Sequence, residues 1–248
     1  MNNKEMSVYE HLGELRKRLI IVTIFFVAGL IASFFLVEPI ILYLQGTDEA
    51  KQLTMNAFRL TDPIKIYIQF TFIIALIITA PVFLYQLWAF VSPGLYEKER
   101  KVTLSYIPLS VLLFLGGISF SYFVLFPFVV DFMLNLAGRL GINQVIGINE
   151  YFQFMLQLIL PFGLLFQMPV LVMFLTRLGI ITPMLLSRIR RYAYFMLLII
   201  AAFITPPDVV SQIIVTLPLC VLYEISIWIS KIAYRKALLS AQEEERLS

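Results

Sequence analysis

The sequence predicts an all-α integral membrane protein with six transmembrane helices, the last two of them short. Of its 248 residues, 60% are apolar and only 14% are charged, whereas about a quarter of a soluble domain is charged. The apolar residues fall into six stretches that hold no acidic or basic side chain. This composition excludes a disordered chain and a nucleic-acid-binding domain, and it argues against a water-soluble globular fold.

The six uncharged stretches mark the predicted spans, which are 19–37, 66–96, 102–130, 151–176, 192–207 and 209–223. A helix needs about 20 residues to cross the hydrocarbon layer. The first four stretches meet that need, but the last two contain 16 and 15 residues. They are either two short spans that thin the bilayer locally or one re-entrant hairpin that turns at 205–208. We favour two spans, because a hairpin would bury the Asp208 carboxylate and a proline-broken backbone near mid-membrane.

The basic residues predict that both termini lie in the cytoplasm. Fifteen of the 19 fall on one side of the predicted spans: Lys4, Arg16, Lys17, Arg18, Lys98, Arg100, Lys101, Arg177, Arg188, Arg190, Arg191, Lys231, Arg235, Lys236 and Arg246. Cytoplasmic loops carry such an excess. We therefore expect a single transmembrane domain over 1–248, with an amphipathic cytoplasmic lead-in at 7–18 and a cytoplasmic tail at 232–248.

Proline positions and span lengths predict the shape of the bundle. Six prolines lie inside apolar stretches, where they kink helices: Pro81, Pro108, Pro127, Pro161, Pro169 and Pro218. An unbroken helix over 102–136 would be about 52 Å long. Tall, kinked helices beside two short ones favour a curved or cupped bundle, and the alternative is a compact bundle with ordinary membrane prolines.

The lead-in contains the first candidate site residue. Ser7 and Glu10 have the spacing of a capping box, so a helix is expected to begin at Ser7. Glu14 and Arg18 follow at i,i+4 spacing. A solvated pair worth about 0.3–0.5 kcal/mol is the interpretation that spacing alone favours. The alternative is a carboxylate held at the membrane edge to receive a cation.

The second cytoplasmic loop contains a second carboxylate of interest. Ser92-Pro93-Gly94 breaks the helix, and a mixed charge run that includes Glu99 precedes the third span. Glu99 is either a solvated residue at a helix start or the partner of Glu14 in an acidic pair. Such a pair suits guanidinium groups, which bind carboxylates through two hydrogen bonds.

Polar residues inside the spans are few. They are Gln69, Gln86, Gln153, Gln157, Gln167, Gln212 and Glu224. The glutamines are typical of hydrogen bonds between membrane helices. Glu224 is a candidate intramembrane functional residue, or a side chain that reaches the nearby cytoplasmic surface.

The sequence carries no signature of catalysis. It has one histidine, His11, and one cysteine, Cys220. A Ser-His-Asp site inside the membrane and a Cys/His metal cluster are therefore excluded. Nucleotide-binding glycine motifs are also missing, so we expect no enzyme, cofactor or metal.

Three blocks of the sequence stand out as motifs. They are residues 11–18, HLGELRKR; residues 80–100, APVFLYQLWAFVSPGLYEKER; and residues 205–212, TPPDVVSQ. In this order they resemble the N-terminal signature, the second-span and loop signature and the TPPDxxSQ turn of the TatC family, the multi-span subunit of the twin-arginine protein translocase. The resemblance implies a plasma-membrane receptor and scaffold that exports folded proteins with twin-arginine signal peptides, using the proton-motive force.

The resemblance also implies site residues and partners. The signal's two arginines would meet Glu14 and Glu99, with Arg16 and Phe90 nearby. Single-span TatA/TatB-type subunits would dock at Thr205 and Gln212, and other implied partners are further copies of the chain and membrane lipid. Many family members carry a glutamate before the Met-Pro or Val-Pro pair of the fourth span. Gln167 occupies that position here, so the position is polar but not titratable.

The competing functional class is a small-molecule secondary transporter. It would need charged or polar groups that converge near mid-membrane, and usually an internal repeat. Only glutamines offer such groups in this chain, and no repeat is visible.

Overall fold

The computed structural model describes residues 8–47, 51, 55–91, 106–142, 145–205 and 209–247. Within this part of the chain the protein is mostly helical, which confirms the all-α prediction, and it adds one pair of two-residue strands. The contacts divide the chain into two compact units. The first consists of Met1–Val111 and Val145–Glu150, and the second of Leu112–Gln144 and Tyr151–Ser248.

The first unit is built on two long helices, α1 (Val8–Gln45) and α2 (Asp62–Val91). The described part of the predicted lead-in, 8–18, and the first span are one continuous helix, because α1 runs through both without a break. Ser7, the predicted helix start, lies outside the described residues. Small residues let the two helices approach closely. A Cβ added to Gly29 of α1 would lie 3.2 Å from the Thr79 hydroxyl and 3.4 Å from the Ala75 carbonyl of α2.

Aromatic side chains extend the contact between α1 and α2. The rings of Phe26 and Phe72 meet edge to face, with centroids 5.3 Å apart. Tyr67 of α2 packs against Phe34 in the same way and donates its hydroxyl proton to the Phe34 carbonyl at 2.7 Å. This bond ties the two helices together through a backbone carbonyl. The same unit contains the parallel strands β1 (Met55–Asn56) and β2 (Ile146–Gly147).

The third predicted span is a tall helix, as expected, with an irregular turn in it. It consists of α3 (Tyr106–Phe120), a π-helical turn (Ser121–Leu125) and α4 (Phe126–Arg139). The apolar helix Ile107–Arg139 contains 33 residues, which corresponds to about 50 Å. Phe126 N–H donates to the Ser121 carbonyl five residues back. The irregular turn lies immediately before Pro127, which has no N–H to continue an α-helical ladder.

The fourth predicted span is broken into α5 (Ile148–Leu165) and α6 (Met168–Arg177). The break falls at Phe166 and Gln167, just before Pro169. Pro81, Pro161 and Pro218, by contrast, lie inside helices that continue through them. In the second unit this helix pair packs on α3 through glycine. A Cβ on Gly117 would lie only 2.7 Å from the Phe162 carbonyl.

The last helices correct the prediction of two short spans. A short helix, α7 (Pro183–Arg188), precedes α8 (Arg190–Ile204). With 15 residues α8 is short, as expected, but α9 (Val209–Leu247) has 39 residues and is not. The end of an uncharged stretch was a poor guide to the helix end, because charged residues such as Glu224 and Lys231 are compatible with a helix interior.

Five of the described helices are long and apolar enough to cross a membrane: Leu12–Gln45, Asp62–Phe90, Ile107–Arg139, Ile148–Arg177 and Val209–Lys236. Large apolar side chains cover their outer surfaces; Phe35, for example, is 75% exposed. Soluble monomers rarely expose so much apolar surface. The chain is therefore a multi-pass membrane protein.

Candidate functional site

Glu14 and Arg18 form the ion pair that their spacing predicts, but the pair is partly buried. Arg18 Nε and Nη2 both donate to Glu14 Oε1, at 3.1 and 2.5 Å. The two side chains are only 21% and 20% exposed. The interpretation as a weak surface pair is therefore wrong, because a partly buried pair is screened much less than an exposed one.

Gln86 joins this pair from the second helix. Arg18 Nη1 donates to Gln86 Oε1 at 3.0 Å, so one guanidinium connects α1 to α2. The second carboxylate oxygen, Glu14 Oε2, is buried and accepts no hydrogen bond in the described part of the protein. A buried acceptor without a donor is unfavourable by about 1–3 kcal/mol, and more when charged. The arrangement therefore presents a fixed carboxylate oxygen that can accept a cationic N–H donor.

The other predicted residues of this site are not all brought to the same place. Phe90 follows Gln86 by four residues on α2 and is half-buried, so both lie on one face of that helix. Arg16 is exposed. Because it lies two residues from both Glu14 and Arg18, it points to a different side of α1. Glu99 lies outside the described residues.

Sequence reasoning missed the hydrogen bond between Arg18 and Gln86. The i,i+4 spacing of Glu14 and Arg18 indicated the pair but not its burial, and Gln86 was one intramembrane glutamine among several. The i,i+4 spacing of Gln86 and Phe90 was the available signal, because it places the amide on the face of a residue already assigned to the site.

Glu224 is held between two side chains of α8. Tyr194 donates its hydroxyl proton to Glu224 Oε1 at 2.5 Å, and Arg190 Nη2 lies 3.0 Å from Glu224 Oε2. Glu224 therefore forms an ion pair between α8 and α9. An open apolar cavity of about 540 Å³ adjoins it, lined in part by Cys220 and Trp228.

Thr205 and Gln212 each bond to backbone carbonyls of α8. Thr205 is buried at the end of that helix, and its hydroxyl donates to the Ala201 carbonyl at 3.0 Å. Gln212 Nε2 reaches from α9 to the Leu198 carbonyl at 3.1 Å. Each keeps further capacity, because the hydroxyl oxygen of Thr205 and the amide oxygen of Gln212 can both accept.

Gln167 lies at the break of the fourth span. Its carbonyl accepts from the N–H groups of Val170 and Leu171 at 3.1 and 3.0 Å, and its side chain is half-buried. Among the other intramembrane glutamines, Gln157 donates to the Phe203 carbonyl at 3.1 Å. The described glutamines with assigned bonds thus connect helices, which is the ordinary role of amides in membranes. No group of three or more His, Cys, Asp or Glu side chains that could hold a metal occurs in the described part of the chain.

Comparison with known sequences gives a consistent result. The family model of the Sec-independent protein translocase protein (TatC) matches residues 10–218. The chain is 67% identical over 248 residues to the Sec-independent protein translocase protein TatCy of Bacillus subtilis, covering 100% of this chain and 98% of the relative. It is 57% identical over 236 residues to TatC of Halalkalibacterium halodurans, covering 95% and 93% of the two chains.

A solved structure agrees with the sequences. The crystal structure described as the twin arginine translocase receptor TatC superimposes with a TM-score of 0.81 at 35% identity, covering 90% of this chain and 99% of the other. The family model covers most of the sequence, and the relatives match over nearly their full length. The chain belongs to the TatC family of Sec-independent protein translocase proteins.

Proposed function

We propose that this chain binds twin-arginine signal peptides and forms the core scaffold of a translocase that exports folded proteins by means of the proton-motive force. The observation that carries the proposal is the buried Oε2 of Glu14, which accepts no hydrogen bond from the residues that the structure describes. The carboxylate is held by Arg18, which Gln86 holds in turn. A guanidinium donor satisfies a carboxylate through short charge-assisted hydrogen bonds. Glu99 supplies the second carboxylate, Phe90 an apolar contact, and Arg16 a nearby charge.

The proposed topology has six spans with both termini in the cytoplasm of a plasma-membrane protein. The excess of basic residues on one side supports this orientation. In this topology α8 is the short fifth span and α9 the sixth. The amphipathic segment 7–18 then lies at the cytoplasmic surface and 232–248 forms the cytoplasmic tail of a single transmembrane domain.

Single-span TatA/TatB-type subunits and further copies of this chain are the proposed protein partners. Thr205 and Gln212 are the proposed docking point, and their remaining acceptor capacity supports it. A single interhelical hydrogen bond in a membrane contributes only about 0.6 kcal/mol on average. Such a bond would therefore fix how the partner helix aligns with this chain more than how tightly the partner binds.

The deciding experiment is site-specific crosslinking of a twin-arginine precursor to the full chain in membranes. Glu14→Gln and Glu99→Gln should each weaken crosslinking at least tenfold, since a charge-assisted hydrogen bond contributes about 1.5–3 kcal/mol. Glu38→Gln is the matched control, because Glu38 is an exposed glutamate of the same helix α1. A precursor with two lysines should crosslink weakly to every variant. Undiminished crosslinking in both Glu14→Gln and Glu99→Gln would refute the proposal.

The secondary-transporter alternative is not favoured. In the described part of the chain the assigned glutamine side chains bond to neighbouring helices, as Gln157 does with the Phe203 carbonyl.

A further inference from the structure

A basic groove lies in the second unit, apart from every residue assigned above. It is a cavity of about 590 Å³ between α7 and α9, within the usual size range of ligand sites. Its lining residues are Thr182, Pro183, Met184, Ser187, Arg188, Lys231 and Tyr234. They combine two cations and three hydroxyl groups with the apolar Pro183 and Met184, and the described lining contains no carboxylate.

The surroundings of the groove are strongly positive. The described side chains between Arg177 and Lys236 include seven cations and one carboxylate, Glu224. Glu224 already binds Arg190 at 3.0 Å. Because the one carboxylate among these described side chains already has a partner, Arg188 and Lys231 have an anion as their natural partner.

Aromatic residues give the depth of the groove in the membrane. Trp228 precedes Lys231 by three residues on the same face of α9 and is 64% exposed. Exposed tryptophan and tyrosine mark the membrane–water interface. Tyr192, which is 60% exposed, marks the same membrane–water interface at the start of α8. Lys231 therefore lies at headgroup level, with apolar surface on one side.

We propose that this groove binds the phosphate headgroup of an anionic phospholipid. Arg188 and Lys231 would pair with the phosphate, while Ser187 and Tyr234 can donate hydrogen bonds to its oxygens. Met184, which is 77% exposed, offers the first methylenes of the acyl chains an apolar surface. Basic pockets between membrane helices commonly bind anionic headgroups in this way. A free phosphate would use the cations but not the apolar part of the groove.

The test is lipid binding by the purified full chain in detergent, measured by native mass spectrometry and by lipid-induced shifts in unfolding temperature. The probes are phosphatidylglycerol and phosphatidylcholine with the same acyl chains, and free glycerol 3-phosphate. Phosphatidylglycerol should bind at least tenfold more tightly than phosphatidylcholine. Glycerol 3-phosphate should compete only at far higher concentration.

Matched variants distinguish specific binding in the groove from general electrostatic attraction of the lipid to a positively charged surface. Arg188→Gln and Lys231→Gln should each weaken phosphatidylglycerol binding about fivefold, the effect expected for one cation near a membrane surface. Arg191→Gln removes the same charge three residues from Arg188, but Arg191 does not line the groove, and this variant should lose less than twofold. Arg188→Lys keeps the charge and should retain most of the binding, which distinguishes lost contact from misfolding.

Three results would overturn the proposal. Equal losses of phosphatidylglycerol binding in Arg188→Gln and Arg191→Gln would mean that the overall positive charge attracts the lipid without a specific site. Equal binding of the two lipids would mean that the headgroup is not recognised. Competition by glycerol 3-phosphate at the concentration of the lipid would identify a free-anion site.

Discussion

Gln86 accepts a hydrogen bond of 3.0 Å from Arg18, a residue 68 positions earlier in the chain. The same guanidinium binds Glu14 through two nitrogens. The orientation of the Glu14 carboxylate therefore depends on a residue of another helix.

Replacing Gln86 with leucine should weaken precursor binding indirectly. A hydrogen bond to a charged group is worth about 1.5–3 kcal/mol, and without it Arg18 is freer to rotate away from Glu14. Precursor crosslinking to the Gln86→Leu protein should fall, but less than in Glu14→Gln. Gln69→Leu, a change at another half-buried glutamine of α2, should leave crosslinking unchanged. Equal crosslinking in the two leucine variants would show that Gln86 does not position the carboxylate.

Tyr194 and Glu224 should stabilise the association of α8 with α9. Tyr194→Phe leaves the carboxylate with Arg190 alone and should lower the free energy of unfolding by about 1.5–3 kcal/mol. Denaturation of Tyr194→Phe, Glu224→Gln and the double variant forms a mutant cycle that isolates the pair's coupling. Tyr192→Phe is the control, because its exposed hydroxyl only accepts a 3.3 Å bond from Arg191. A coupling near zero would contradict the stabilising role.

Variants of Gln212 can show whether the end of α8 is a docking point for partner subunits or whether these side chains only cap the helix. If partners dock there, Gln212→Leu should reduce crosslinking of a single-span subunit to α8 and leave precursor crosslinking at Glu14 intact. If the bonds to the Leu198 and Ala201 carbonyls are merely structural, stability and both kinds of crosslinking should fall together. Unchanged partner crosslinking in a Thr205→Val, Gln212→Leu double variant would rule out docking at these residues.

The connection between α8 and α9 should reach the outer face of the membrane. Cys220 is the chain's single cysteine, so a Cys220→Ser background allows one cysteine to be placed at Asp208. An impermeant thiol reagent added from outside should label it, because the proposed six-span topology puts this turn in water on the outer side. Labelling only after the cytoplasmic side is opened would favour a re-entrant hairpin instead.

Gly117 should tolerate no side chain. A Cβ there would meet the Phe162 carbonyl at 2.7 Å and the Phe166 ring at 2.8 Å, and such overpacking is unfavourable by about 1–3 kcal/mol. Thermal unfolding of Gly117→Ala should therefore occur at a lower temperature than that of the unmodified chain. Gly116→Ala is the control, since nothing lies within 4 Å of its added Cβ; it should be neutral or stabilising. A Gly117→Ala protein as stable as the control would contradict the close packing.

Composition and uncharged stretches were enough to predict the helical membrane class and the tall third helix. They failed at the end of α9, because the charge of Glu224 was taken as the end of a span whereas its carboxylate is paired with Arg190. The partial burial of Glu14 and Arg18 could not be predicted from the sequence either. It depends on the approach of α2, which local spacing does not encode.

The π-helical turn at Ser121–Leu125 has a consequence for the phase of the helix that contains it. A bond that spans five residues holds one residue more than an α-helical turn. Side chains after Leu125 are thus rotated by about 100° from where an unbroken 3.6-residue period would put them. That offset sets the direction in which Val129 and Val130 are buried. The turn therefore contains one residue more than a regular α-helix needs. Deleting one residue within it would restore the α-helical hydrogen-bond pattern and keep the later side chains in place. Deleting one residue elsewhere in the helix would rotate every later side chain away from its neighbours.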